Sequence, residues 1–482
     1  VFEGFQPFLG ALERAGELRR ISHPLSPNLE ITELADRCMK MPGGGPALLI
    51  ERPAGFEIPV AINCFGSEKR MGIALGVGSV QEIADELDKT LHFEIPRGLK
   101  NKIAALAKLG RFAKAAPKTV SKAACQAQTV QGTDLDLTKL PVLKCWPMDA
   151  GPFITLPMVF THDPATGKRN VGMYRIQIYD ERTTGMHWQM HKSGAEHERL
   201  ARERRQRIEA CIVLGSDPAC MFSAVAPLPP GIDEMLFAGY LRKHPVEMVK
   251  AKTVNLSVPA DAEIVIEGLI DPDEKRIEGP FGDHTGYYSM PEPFPVFHAQ
   301  CITMRENPVY PATIVGVPPM EDAYIGKAIE RIFLPLIRLT LPEIVDINLP
   351  VEACFHNMAF VSIKKRFPGH AFKVMNALWG LGQLTFSKFI FVFEHDVNVH
   401  DLRDVLFRIG ANCDPQRDSL LVRGPVDHLD HAVSQIGFGG KIGFDCTHKL
   451  PAEGYPREWP PLIQMDNETK TKIDAIWSQL NL

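Results

Sequence analysis

Residues 262–290, "AEIVIEGLIDPDEKRIEGPFGDHTGYYSM", change character part-way along. The opening "AEIVIEGLI" is rich in β-branched residues and reads as a strand. From Glu278 onward, Pro280 and three glycines (Gly279, Gly282, Gly286) forbid both helix and strand. Two carboxylates, Glu278 and Asp283, are thus fixed in a stiff turn at the mouth of a sheet. If both face one cavity, burial and mutual repulsion should raise at least one pKa, giving an acid that stores a proton near neutral pH. A surface turn whose acids cap backbone donors is the alternative.

The neighbouring segments extend the sheet. "LPMVFTHD", "RNVGMYRIQIYD", "EACIVLG", "VEMVKAKTVNLSVP", "VFHAQCITMRE" and "YPATIVG" all read as strands. They are separated by Pro- and Gly-rich turns and by helical insertions near 194–207 and 232–242, which suits a barrel or sandwich over βαβ units. Residues 1–125 read as mixed α/β, with a first helix carrying Phe5, Phe8, Leu9 and Leu12 on one face and Ser26 and Asn28 as candidate caps of a second. From 319 to 482 helices and strands alternate again; "HDLRDVLFRIGANC" sets Leu402, Val405, Leu406 and Ile409 on one helical face. The expected organisation is three domains, 1–125, 126–318 and 319–482, ending in a helix whose apolar stripe packs on another subunit.

Composition excludes several classes. The 482 residues carry a formal charge of -5 and a hydrophobic fraction of 45%, so charge suggests no nucleic-acid partner. Ten scattered cysteines never form a C-x-x-C pair, which points to reduced thiols. The amphipathic start is neither a signal peptide nor a membrane span, and a cytoplasmic location is expected. Gly98–Lys122 holds seven Lys or Arg and no acid; a helix with a solvated basic face is expected there, with a docking face for an anionic substrate as the sharper reading.

Three further groups of residues carry chemistry. If "RNVGMYRIQIYD" is one strand, Asn170, Gly172 and Tyr174 share a side and Arg175 takes the other, where its fork can grip a carboxylate or phosphate. "GMHWQMHKSG" offers His187 and His191, and "HPVEMVKAK" offers Glu247. An amide oxygen, an imidazole and a carboxylate would make a hard site suited to Mg²⁺ or Mn²⁺.

In this order and spacing, "NVGMYR", "HWQMH", "VEMVK", "VPADAEIVIEG" and "EGPFGDHTGYY" resemble the UbiD family of decarboxylases. The likeness continues through "KCWPMDAGP", "VFEHDVNVHD" and "DCTHK". It implies an N-terminal α/β domain, a central flavin-reductase-like split β-barrel and a C-terminal α/β domain, assembled as a homo-oligomer, dimer or hexamer. It also implies prenylated FMN, a divalent ion (Mn²⁺ or Mg²⁺) and K⁺, with a flavin prenyltransferase supplying the cofactor. Carried over by position, the metal ligands are Asn170, His191 and Glu247. The cofactor contacts are Met173, Tyr174, Arg175, His187, Trp188, Gln189, Lys192, Ser193 and Lys441. Arg175, Glu278 and Asp283 match the catalytic Arg–acid–acid network. The implied reaction is reversible, non-oxidative decarboxylation of an aromatic or α,β-unsaturated acid, with a polyprenyl 4-hydroxybenzoate of quinone biosynthesis leading. That substrate would bring peripheral membrane association. Naphthoates and catabolic phenolic acids are alternatives, as are a plain FMN oxidoreductase and a non-catalytic assembly subunit. His187 and Lys192-Ser193 stand where some relatives carry arginine and an Arg-Gly pair.

Overall fold

Tyr174 and Arg175 join two strands that lie near opposite ends of the same sheet. The computed structural model describes residues 2–91, 115–189, 193–229 and 231–480; most of the basic stretch 98–122, His191 and Lys192 lie outside them. The central sheet runs in the order 153–154, 176–178, 183–186, 292–304, 264–278, 208–214, 157–162, 169–173, with 128–131 added against 292–304. Met173 and Ile176 are only three residues apart, and three extended residues span roughly 10–11 Å at most. The far ends of the sheet must therefore curl toward each other, which makes the split barrel. The expected single strand 169–180 is accordingly two, Arg169–Met173 and Ile176–Ile178, and Arg175 stands in the seam between them.

The long hairpin of Ile264–Glu278 with Glu292–Met304 forms the spine of this sheet. Its register shifts twice, between Glu267 and Gly268 and between Asp271 and Lys275. Such bulges bend and twist a strand, as barrel curvature requires. Glu278 is the last residue of its strand and pairs with Glu292 across the hairpin, so the loop between them opens at one end of the barrel.

On one side lies a four-stranded sheet of Leu18–Ile21, Ala47–Ile50, Val60–Ile62 and Tyr310–Ala312. "YPATIVG" thus completes the N-terminal sheet instead of the barrel. The helix Phe5–Arg14 buries Phe5, Phe8, Leu9 and Leu12, as its spacing demands. Burial of each such side chain contributes roughly 1.5–3 kcal/mol. The helix Glu30–Met39 is entered through Leu29 at φ 73, and neither Ser26 nor Asn28 is its N-cap; Ser26 Oγ instead accepts from Asn28 N at 3.1 Å. "VEMVKAKTVNLSVP" becomes the hairpin Glu247–Lys250 and Ser257–Pro259, which joins Lys118–Val120 in a separate small sheet.

The C-terminal layer is a five-stranded sheet ordered 344–348, 358–363, 389–394, 438–445, 419–425. The helix Leu402–Asn412 buries Val405 and Arg408, while Leu402 and Leu406 of the expected apolar face are exposed. Arg408 takes the inward position instead, its charge met by Asp404 and Asp396 at 3.2 and 3.1 Å. The helix Glu321–Thr340 leads from the barrel into this layer. Among the described residues, no helix is long and apolar enough to cross a membrane.

Candidate active site

The loop after Glu278 is held by the segment "KCWPMDAGP". Asp149 accepts from Gly282 N and from Trp146 N, both at 2.8 Å, and Ala150 N donates to Pro280 O at 2.9 Å. Gln177 Oε1 takes Gly279 N at 2.9 Å. A Cβ on Gly282 would lie 2.3 Å from the Trp146 ring, so only glycine fits between the indole and the loop.

This anchoring delivers both acids to Arg175. Its Nε and Nη2 donate to Glu278 Oε1 and Oε2 at 2.8 and 2.9 Å, a bidentate fork. Nη1 donates to Asp283 Oδ2, and Nη2 also reaches Ser289 Oγ at 3.0 Å. The guanidinium lies 4.9 Å from the centroid of the Phe281 ring. His187 Nδ1 is 3.2 Å from Glu278 Oε2, and the imidazole packs on Phe294 at 4.2 Å between centroids.

The charge states overturn the expectation of a resting, protonated acid. Burial would raise Glu278, but hydrogen bonds from His187 and Arg175 more than offset it and hold the group at about 2. Asp283 is likewise pushed up by burial, yet Arg175 and His284 keep it well below the ordinary carboxylate range. One cation between two acids replaces their repulsion with attraction. Burial and the Arg175 charge push His187 down, so it is a neutral donor. His284 is pushed down by burial and lifted by Asp283, Asp427 and Asp322 to about 9.

Beside this network lies a cavity of about 1130 Å³ between the barrel and the C-terminal layer. Asn170, Met173, Tyr174 and Ser193 line it, with Gly326, Phe355 and Gln383 on the opposite side. Ser193 opens the helix Ser193–Arg204, whose N-terminus offers backbone donors to an anion. Asn170 and the Tyr174 hydroxyl lie side by side on this wall. Arg175 follows the lining residue Tyr174 directly in sequence, and Asp283 is close enough to Asp322 on the wall for their charges to act on each other; Arg175, His187, Glu278 and Asp283 do not themselves line the cavity. Trp188 is buried, edge-on to Tyr174 at 6.5 Å, and Gln189 is half-buried. Lys441 sits one layer back, its ammonium on the carbonyls of Thr385, a lining residue, and Ser387; burial pushes it down to about 8.

The metal expectation is split. Glu247 opens its strand with an exposed side chain and is not among the lining residues. A different carboxylate, Glu234, lines the cavity with Asn170. It starts the helix Glu234–Leu241 and accepts from Val171 N at 3.2 Å. Burial lifts it to about 7. A second cavity acid that sequence reasoning passed over, Asp322, is also raised by burial to about 7. The "GIDEM" cap-then-acid pattern was the available signal for Glu234: Asp233 caps the helix and turns the next residue toward the barrel.

Comparison with known proteins places this geometry. Family models described as the N-terminal, Rift-related and C-terminal domains of 3-octaprenyl-4-hydroxybenzoate carboxy-lyase match residues 9–87, 118–318 and 323–446. An uncharacterized protein of Archaeoglobus fulgidus is 52% identical over 481 residues, 99% of this chain and 98% of its own length. The chain belongs to the UbiD family of carboxy-lyases. Vanillic acid decarboxylase of Sedimentibacter hydroxybenzoicus, in its closed form, superposes on this UbiD chain with a TM-score of 0.88, 25% identity and full coverage of both chains. An evolved dimeric form of the UbiD-class enzyme HmfF from Pelotomaculum thermopropionicum, in complex with prenylated FMN, gives 0.76 and 26% identity, covering 95% of this chain and 97% of its own.

Proposed function

We propose that this chain is a prenylated-FMN-dependent decarboxylase that acts reversibly and without net oxidation on an aromatic or α,β-unsaturated carboxylic acid. The observation that carries the reading is the Arg175 fork between two ionised acids beside a cavity larger than the ~300–1,000 Å³ of most single-ligand pockets. A flavin and a substrate can share such a volume.

The cavity residues suit the cofactor. Asn170 and Glu234 supply oxygen ligands for Mn²⁺ or Mg²⁺, with Glu234 in place of the Glu247 of the Asn170, His191 and Glu247 set that the resemblance implied, and the Ser193 helix terminus faces the same space for a phosphate. When bound, prenylated FMN provides the electron sink that loss of CO₂ from an sp² carbon requires. The chain's part is position and a proton. Arg175 offers Nη1 to the substrate carboxylate, and that donor is thereby withdrawn from Asp283. The Asp283 carboxylate then loses part of the attraction that keeps it ionised, its pKa climbs, and Oδ2 holds the proton delivered to the carbon that lost CO₂. Met173 and Tyr174 flank the cofactor in this reading. A polyprenyl 4-hydroxybenzoate leads as substrate on the family description.

The test is expression beside a flavin prenyltransferase, followed by the mass of the released cofactor and CO₂ release from a panel of aromatic acids. Prenylated flavin with decarboxylation of at least one acid is expected. Unmodified FMN with steady NADH oxidation and no CO₂ would sink the reading.

A further inference from the structure

Arg175 occupies one oxygen of Asp283, and His284 occupies the other. The His284 backbone N and ring Nδ1 lie 2.7 and 3.0 Å from Oδ1. This leaves His284 Nε2, which is 4.0 Å from Asp427 Oδ2. His356 Nε2 is buried and 3.2 Å from the same oxygen. The two imidazoles are 5.1 Å apart at 55°, and all three donor atoms fall within 4.8 Å of one another.

We propose that His284, His356 and Asp427 form a binding site for a divalent transition-metal ion, clamping the loop that carries Asp283 to the C-terminal layer. Bonds of about 2.0–2.2 Å in tetrahedral geometry separate donors by roughly 3.4 Å. The 3.2 Å pair already meets this, and the 4.0 Å pair needs a shift of about half an ångström. Asp283 on His284 Nδ1 is the carboxylate–histidine arrangement that fixes a ligating imidazole. Two imidazoles and one carboxylate favour Zn²⁺ or Fe²⁺ over Mg²⁺ and Ca²⁺. The chain also spends strain to present His356: Cys354 and Phe355, immediately before it, both have positive φ, 54 and 39. Around the cluster the same two segments meet again, Tyr287 on His431 at 3.9 Å and His428 on Glu292 at 2.7 Å.

This site is nitrogen-rich, unlike the oxygen ligands at Asn170 and Glu234, so the two can be told apart without flavin or turnover. The experiment is Co²⁺ titration of flavin-free, chelator-stripped full-length protein carrying Asn170→Ala and Glu234→Gln. One equivalent of Co²⁺ with visible ligand-field absorption, displaced by Zn²⁺, is expected, with paramagnetically shifted signals from two histidines. Adding His356→Gln or Asp427→Asn should weaken binding beyond the ~10–100-fold that outer-shell changes cause. No retained Co²⁺, or the absence of two shifted histidines, overturns the proposal. So does unchanged affinity in a folded His356→Gln or Asp427→Asn protein. All of these outcomes are independent of whether the chain decarboxylates anything.

Discussion

Arg175 bridges both acids and, with His187 beside Glu278 and His284 beside Asp283, keeps them ionised; replacing it reverses the pH dependence of their contribution. In the wild type the pKa of Glu278 is depressed to about 2. Its stabilisation is therefore present above the ordinary carboxylate pKa and is lost as pH falls toward 2. In Arg175→Met Glu278 stays buried with only His187 beside it and Asp283 keeps only His284, so both pKa values rise and the cost is greatest at neutral pH. The variant should be destabilised by about 3–5 kcal/mol at pH 7.5 and by clearly less at pH 5, as read from urea midpoints at both values. Asp283→Asn removes the proposed proton carrier and keeps the shape. Turnover should fall by at least ~10²–10⁴-fold while cofactor content, read from the flavin spectrum, stays at the wild-type level. Undiminished turnover would take Asp283 out of the mechanism.

At the scale of elements, the loop 279–291 depends on its backing against "KCWPMDAGP". Gly282→Ala would drive a methyl into the Trp146 ring at 2.3 Å, and overpacking of this kind costs typically ~1–3 kcal/mol. Because Gly282 adjoins Asp283, the strain falls on the acid's position, so kcat should drop more than thermal stability does. Equal kcat in the variant would show that the loop tolerates a shift. The loop and the strand before it were legible because Glu278, Pro280, Asp283 and the glycines lie within nine residues, where chain geometry alone limits their arrangement. The carboxylate that lines the cavity beside Asn170 was not. Glu234 and Glu247 are thirteen residues apart, both follow turn-forming residues, and only the packing of the helix Glu234–Leu241 on the barrel decides which one lines the cavity. The break at Tyr174–Arg175 was hidden for a related reason: β-propensity runs unbroken through "RNVGMYRIQIYD", and it takes barrel closure to divide it. His284, His356 and Asp427 come from three segments about seventy residues apart, a distance at which spacing carries no information.

At the scale of the molecule, the described chain leaves apolar surface without a partner of its own. The C-terminal helix Asn467–Trp477 buries none of its residues, and Ile473, Ile476 and Trp477 are 42%, 40% and 57% exposed. Isolated helices shorter than ~12–15 residues are marginal in water, so eleven residues with this stripe need a surface to pack on. The helix Leu402–Asn412 offers one: Leu406 and Phe407 are exposed, as is Leu421 on the adjacent sheet. Exposed apolar patches of this kind mark interaction sites in soluble proteins. A second copy could cover both faces at once. Light scattering on the full chain should give a dimer or a larger multiple, and removal of residues 461–482 should shift it toward monomer with the barrel's circular dichroism retained. An unchanged mass after truncation would assign the contact to another face, while a monomeric full-length chain would remove the argument that the exposed stripe exists for self-assembly.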